Sequence, residues 1–338
     1  MIARHSPTAH AAYHDLLRSL LDDAVSDLRG TPTRVVRNGH VYWYDSYRVG
    51  FQVHKRYIGE ETEALLERIE RFRGLRGERE ERKRERTRLV RLLRAEGFMS
   101  LDAGTGSLLA AMASAGVFRL GGTVVGTHAF RLYEGELGLR YRVDQAAQTN
   151  DIDIASFEKL SLALEDVVSP PLTEVLSEFE FEAVPSMSPG ENWRWSQTRS
   201  NALVEFLTPS FEAEEARRPL VALGVEAQAL HHLNYLIADP IPAAVIYRSG
   251  VLVQIPQPER FAIHKLIVAD RRQGGHDAQK ARKDLLQAEF LIEVLYEDRP
   301  DELAQAYRDA RSRGPRWRER LDATLARSRS VRKRLSSI

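Results

Sequence analysis

The sequence predicts a mixed α/β (α+β) fold, with a mixed sheet at its centre, a small α+β module before it and helices after it. Three observations carry this. Short apolar runs of strand type, TVV at 123–125, DIDI at 151–154 and LVEFL at 203–207, alternate with helical patterns through the middle of the chain. An Asn38-Gly39 pair sits inside an alternating stretch near the N-terminus, a hairpin signal because both turn positions need positive φ. From Pro258 onward the pattern is wholly helical.

Residues 9–29 place Leu16, Leu17, Leu20, Leu21, Val25 and Leu28 on one helical face, and Thr31-Pro32 ends the run. The preceding HSPTAH reads as a frayed cap. The stretch from Thr33 to Gly59 alternates apolar with polar or aromatic residues and predicts a two- or three-stranded meander. Residues 60–95 have helical composition, broken at Gly74 and Gly77. Their middle, GEREERKRERTR, offers no core-facing residue and reads as a solvated connector laced with Glu/Arg pairs, or else as a basic surface for nucleic acid. LDAGTGSLLAAMASAGVF predicts a loop and an Ala-rich buried helix. RLGGTVVG is a short buried strand, and THAFRLYEGEL is a helix opening on Thr127. NDIDIASF and NALVEFLTPS are strands around SLALEDVVSPPLTEVLSEF, a helix broken at Pro170-Pro171. AAVIYRSGVLVQIP is a hairpin at Ser249-Gly250. ERFAIHKLIVADRR, HDAQKARKDLLQAEFLIEVLYED and two basic helices complete the chain. The expected division is 1–95, 96–256 and 257–338.

The chain has 338 residues and enough apolar content for a sizeable core. It has no cysteine, which excludes disulfides, Cys-based zinc sites and a thiol nucleophile. No stretch approaches the roughly 18 apolar residues of a membrane span, and no signal-peptide core stands at the N-terminus, so a cytoplasmic protein is the default expectation. A net charge of +1 says nothing about partners. Its distribution says more, because basic residues gather between Arg68 and Arg94 and again between Arg311 and Arg334.

The sharpest chemical signal is Asp151-Ile152-Asp153-Ile154. Side chains alternate faces on a strand, so Asp151 and Asp153 project together with both isoleucines behind them. Paired carboxylates suit divalent cations, and two such ions about 4 Å apart can clamp an in-line phosphoryl displacement. Standing alone, the pair could equally be a polar strand end. Upstream, TVVGTHAF runs a strand into a helix through Gly126-Thr127. Glycine there admits a phosphate closely, and the helix N-terminus offers free N–H groups, with Thr127 as cap and phosphate contact. An ordinary strand-to-helix turn would look the same. Downstream, Glu205 stands among Leu203, Val204, Phe206 and Leu207. Burying it there is costly without a cation or donor, unless the strand is an edge and Glu205 meets water.

Taken in this order, the three elements resemble the nucleotidyltransferase superfamily of DNA polymerase β type, which carries a Gly-Ser or Gly-Gly turn, an Asp-x-Asp strand and a third carboxylate on a neighbouring strand. The matching residues are Gly126-Thr127, Asp151-Ile152-Asp153 and Glu205, and the resemblance covers residues 97–255. PERFAIHKLIVADRR followed by KARKDLLQAEFLIE is similar to the abortive-infection branch, with its Lys-Leu helix and its Arg/Lys-Asp helix. By that resemblance Lys265 faces the nucleotide phosphates and Asp284 supports the site. The chain departs from the pattern in three ways: a longer gap from Gly126-Thr127 to Asp151 holding the insert YEGELGLRYRVDQAAQ, Thr for Ser in the turn, and Glu for the commoner Asp as third carboxylate.

The resemblance implies a nucleotidyltransferase core that moves an NMP from an NTP to an acceptor hydroxyl, in RNA, tRNA or protein, with release of pyrophosphate. Mg²⁺ or Mn²⁺ would be held by Asp151, Asp153 and Glu205, and the nucleotide by Gly126, Thr127 and Lys265. Two rivals stand beside it: a catalytically silent nucleic-acid-binding protein of the same fold, and a toxin or defence component restrained by an antitoxin partner. Tyr42, Trp43, Tyr44 and Tyr47, interleaved with basic residues and followed by Arg79 to Arg88, are the expected surface for recruiting a nucleic-acid acceptor. Weaker signals are GTGS at 104–107, read as helix initiation, and His231-His232, taken to lie on a helix. Trp193 and Trp195 read as packing or as base-stacking groups, beside Arg194 and Arg199 as phosphate contacts.

Overall fold

The computed structural model describes residues 2–24, 29–141, 151–157, 166–185, 192–272 and 278–338. Helix α1 (Pro7–Ala24) buries Ala9, Tyr13, Leu16, Leu17 and Leu20 along one face, as the spacing predicts. Val25 and Leu28 lie outside the described residues. HSPTAH is no frayed cap. Ser6 Oγ accepts from Ala9 N at 3.1 Å. His5 is buried, stacks on Phe98 with centroids 3.7 Å apart, and meets Glu134 Oε1 at 3.0 Å.

The meander is three antiparallel strands, β1 (Thr31–Arg37), β2 (His40–Val49) and β3 (Gln52–Glu60). Asn38 and Gly39 turn the first hairpin at φ 50° and 82°, the positive pair that a two-residue turn needs. Of the aromatics expected to meet nucleic acid, Trp43 and Tyr47 are buried; Trp43 donates to Glu61 and Tyr47 bonds Ser169.

Helix α2 (Glu63–Gly74) ends at Gly74, but Gly77 lies inside α3 (Arg76–Ala95) and breaks nothing. The charged helix does have a core-facing residue. Arg86 is 7% exposed, paired with Asp23 at 2.6 Å. One turn on, Leu89, Val90 and Leu93 close onto α1, Ala244 and Ile246. A window count of apolar residues overlooks an arginine whose stem packs and whose head finds a half-buried carboxylate.

The Asp102 side chain accepts from Thr105 N and starts α4 (Ala103–Ala115), so GTGS is helix initiation. The central sheet has seven strands. β4 (Thr123–Val125), β5 (Asp151–Ala155) and β8 (Ala202–Pro209) form its middle, β4 antiparallel and β8 parallel to β5. The start of β8 also pairs antiparallel with β7 (Arg194–Gln197), which carries β6 (Phe181–Ala183); its end pairs parallel with β10 (Val225–Leu230), which carries β9 (Arg217–Leu220). β7 lies in the tryptophan-bearing segment GENWRWSQTRS, a possible strand by its alternation, whereas β6, β9 and β10 have no counterpart in the sequence pattern, because they are three to six residues long, too short for periodicity to show. β11 (Ile241–Val245) and β12 (Val251–Ile255) form the expected hairpin.

Between these strands lie α5 (Gly126–Leu137), α6 (Leu172–Glu178) and the single turn α7 (Leu233–Leu236). Residues 161–165 of the predicted 161–179 helix fall outside the described residues, as do 142–148 of the insert, and 166–171 are not helical, so the helix starts only after Pro170-Pro171. Helix α8 (Pro258–Arg271) is buried nearly all round, including Phe261, Ile263, Leu266 and Ile267. Around it pack α9 (Ala278–Asp298), α10 (Pro300–Ser312) and α11 (Pro315–Arg327), and α12 (Arg329–Ser336) follows. The basic tail thus holds three helices rather than two; Gly314-Pro315 and Ser328 supply the extra breaks.

Candidate active site

Strand parity places the first pair of carboxylates as expected. Along β5, Ile152 and Ile154 are buried, Asp153 is half-buried and Asp151 is exposed at the strand's start. Register then assembles a row across four strands. Asp153 is opposite Val125 at the end of β4 and opposite Glu205 on β8, and Glu205 is opposite Arg194 on β7. Residues in register on neighbouring strands share a face. Asp153 and Glu205 therefore lie side by side, and Arg194 Nε reaches Glu205 Oε1 at 2.6 Å. The guanidinium also lies over the Trp193 ring at 4.5 Å, while Trp195 is buried, so both tryptophans pack rather than offer an open stacking face.

Burial pushes the Asp153 carboxyl up to about 7, with Glu205 and Asp151 adding in the same direction and Lys265 opposing. A carboxylate that is both desolvated and next to like charge is what a divalent cation relieves. Among the described residues no group of three or more His, Asp or Glu side chains is drawn together closely enough to hold a metal. The pairing of Glu205 with Arg194 accounts for part of that, since it turns the carboxylate toward the guanidinium.

Gly126 follows Asp153's neighbour on β4 with φ 65°, a conformation that penalises any side chain. A Cβ there would also collide with the Asp153 carboxylate. Gly126→Ala is therefore expected to displace Asp153, and nucleotide affinity measured by calorimetry should fall at least tenfold. Unchanged affinity would show that the close approach has no bearing on the nucleotide. Thr127 is buried in the first turn of α5, but the helix's N-cap is Val125, and no side chain caps it. The capping role expected of Thr127 is not seen.

Lys265 lies in the middle of α8 and is 8% exposed. Its Nζ pairs with Asp284 Oδ1, and Arg272 Nη1 donates to the other oxygen, Oδ2, at 2.7 Å. Asp284 thus holds two cations at once. Lys283, beside it on α9, is electrostatically coupled to Lys265, Asp284, Asp151 and Asp153; burial and Lys265 hold its ammonium below the ordinary range. Arg194, Arg272 and Lys283 went unassigned to this cluster from sequence, though Lys283-Asp284 is itself part of the motif that pointed to α9. His128, next to Thr127, is 1% exposed, and neither ring nitrogen has a hydrogen-bond partner among the described residues. Desolvation, reinforced by Arg131, lowers its pKa to about 4, so it stays neutral.

The other candidates lie elsewhere. His231 and His232 sit in a turn, not on a helix, and His231 pairs with Glu215 at 2.9 Å. Arg199 pairs with Glu180.

The sequence model of a family described as Nucleotidyltransferase matches residues 103–312, more than half of the chain. The chain belongs to the nucleotidyltransferase family. The match spans Gly126, Asp151, Asp153, Glu205, Lys265 and Asp284. No curated protein and no solved structure gives a significant match. Among the described residues no helix of this nucleotidyltransferase is long and apolar enough to cross a membrane.

Proposed function

We propose that this nucleotidyltransferase moves a nucleoside monophosphate from an NTP to an acceptor hydroxyl and releases pyrophosphate; Asp151, Asp153 and Glu205 would hold Mg²⁺ or Mn²⁺ once the Glu205 carboxylate turns from Arg194 toward the aspartates. The observation that supports it most is the opposition of Asp153 and Glu205 on adjacent parallel strands, directly beside the Gly126 turn. Bound there, the cation would neutralise phosphate charge and polarise the reacting phosphoryl group.

The chain's own residues do the positioning. The free N–H groups of the first turn of α5 face the phosphates, and Gly126 lets them come close. Lys265, fixed by Asp284, sets a positive charge near Asp153, and Lys283 adds a second. Glu205, steered by Arg194, orients the acceptor hydroxyl and takes its proton. The new O–P bond forms as the bond to the leaving pyrophosphate breaks, in line. Such a displacement asks for alignment and charge neutralisation rather than covalent help from the protein.

The test is incubation with each α-labelled NTP, Mg²⁺ or Mn²⁺, and total RNA or cell lysate. Label should appear on a macromolecule with release of pyrophosphate, and Glu205→Gln should abolish it. Tight NTP binding without any transfer, under either metal, would instead support a silent member of the fold.

A further inference from the structure

On the far side of α8 lies a cavity of about 630 Å³ lined by four arginines, Arg271, Arg313, Arg316 and Arg320, and by no carboxylate. Its position follows from the helix. Successive residues on a helix diverge by about 100°, so Arg272 turns to Asp284 and the carboxylate site while Arg271 turns the other way, to the cavity. Three of the arginines are held from behind. Arg271 pairs with Glu215 at 2.7 Å, Arg313 with Asp309 at 3.2 Å and Arg320 with Asp270 at 3.1 Å. These pairs fix the guanidiniums without using all their donors. Arg313 engages Asp309 through Nε and Nη2, and Arg320 engages Asp270 through Nη1. Arg316 has no ion-pair partner among the described residues.

Two further features point to an anion. Gly314 and Pro315 line the cavity at the start of α11, so that helix's N-terminus opens into it. His232, in its wall, is held at φ 71°, where a residue other than glycine is strained and functional sites are over-represented. Trp317 packs edge-on against that imidazole at 4.4 Å, and His232 Nδ1 is buried with no hydrogen-bond partner among the described residues.

We propose that this cavity grips the phosphodiester backbone of a nucleic-acid acceptor, and so that the acceptor of the transfer is a nucleic-acid strand. The inference rests on the nucleotidyl-transfer reading above and names its acceptor class. Strand β8 links the two places: Glu205 lies on it, and Ser210, just past its end, lines the cavity. Five residues of extended chain span about 16 Å, roughly five steps of a stacked strand at about 3.4 Å each. That separation suits a polymer that reaches both sites. The basic C-terminal helices, rather than the meander, then supply the grip.

The test uses the full chain and fluorescein-labelled single strands of RNA and of DNA, about 20 nucleotides long, with affinity read by anisotropy over a salt series. Arg316→Glu and the double variant Arg316→Glu/Arg320→Gln should weaken binding at least tenfold and flatten the slope of log affinity against log salt by about one for each phosphate no longer held. NTP affinity by calorimetry should stay at the wild-type value in both, which also reports that they fold. RNA or DNA bound best identifies the strand. The proposal is overturned if both variants bind either strand within twofold of wild type, if the wild type binds neither, or if Arg84→Glu on α3 is the change that abolishes binding. Failure of the transfer reading looks different: the wild-type chain would then move no label from any NTP to either strand under Mg²⁺ or Mn²⁺, whatever its affinity for the strands.

Discussion

Asp153→Asn is expected to lower nucleotidyl transfer by about 10³-fold or more and at the same time to raise the thermal stability of the metal-free protein above pH 7. The first effect follows from the proposed role of Asp153, whose loss would remove a cation ligand and the charge that organises the phosphates. The second follows from the protonation of Asp153, whose pKa rises from an ordinary 3.8 to about 7, chiefly through burial. A carboxyl with a raised folded pKa binds its proton more tightly in the folded chain than in the unfolded one. Its favourable contribution is complete below the unfolded value and is lost as pH rises through about 7. Above that the folded chain carries an ionised, desolvated Asp153 next to Glu205. Asparagine removes the charge and keeps the shape. A shift of this size corresponds to a ceiling of ~4 kcal/mol; half-burial and local relaxation bring the expected gain to about 1–2 kcal/mol. Melting the wild type and the variant from pH 5 to pH 9 checks this. The gap between the two curves should widen from pH 5 to about pH 7 and stay constant above it, and a gap that does not change with pH over the whole range would refute the assignment.

Asp284→Ala should destabilise the protein by about 3–5 kcal/mol, the range for stranding a buried charge. The carboxylate is 2% exposed and serves both Lys265 and Arg272. Removing it leaves Lys265, itself 8% exposed, without its partner beside α9. Lys265→Ala should cost less, because Asp284 keeps Arg272 at 2.7 Å. It should nonetheless reduce NTP affinity, since the charge nearest Asp153 from α8 is gone. Asp284→Ala/Lys265→Met should recover part of the stability lost in Asp284→Ala alone, as replacing a buried pair by apolar side chains often does. Urea unfolding of the four proteins decides the order. A larger loss in Lys265→Ala than in Asp284→Ala would mean that Arg272 contributes little to holding Asp284.

The sequence made the carboxylates legible for a simple reason. Period two on β5 puts Asp151 and Asp153 together whatever the rest of the chain does, and a glycine between an apolar strand and a helix marks the turn. Cross-strand neighbours carry no such local signature. Nothing near Arg194 announces that it will sit opposite Glu205, because β7 is four residues long and its register is set by pairing across the sheet. Arg86 shows the same limit on a helix: its neighbours are charged, and only the arrival of Asp23 from α1 explains its burial. His5 was hidden for a like reason, its partner Glu134 lying on a helix far along the chain. Lys265 and Asp284 could be named from a family motif, yet that they are paired belongs to the packing of α8 on α9.

Strand β8 sets a distance as well as a register. It is held on both sides, by β5 along one edge and by β7 and then β10 along the other, so its length is not adjustable. Glu205 near its middle, the carboxylate proposed to act on the acceptor, and an arginine cavity at its end are two marks on a rigid ruler. If the proposed acceptor strand is gripped at one mark, it presents to the other whatever lies a fixed number of nucleotides along, and the enzyme would then be a measuring device for position along that strand, with its calibration written in hydrogen bonds of the sheet.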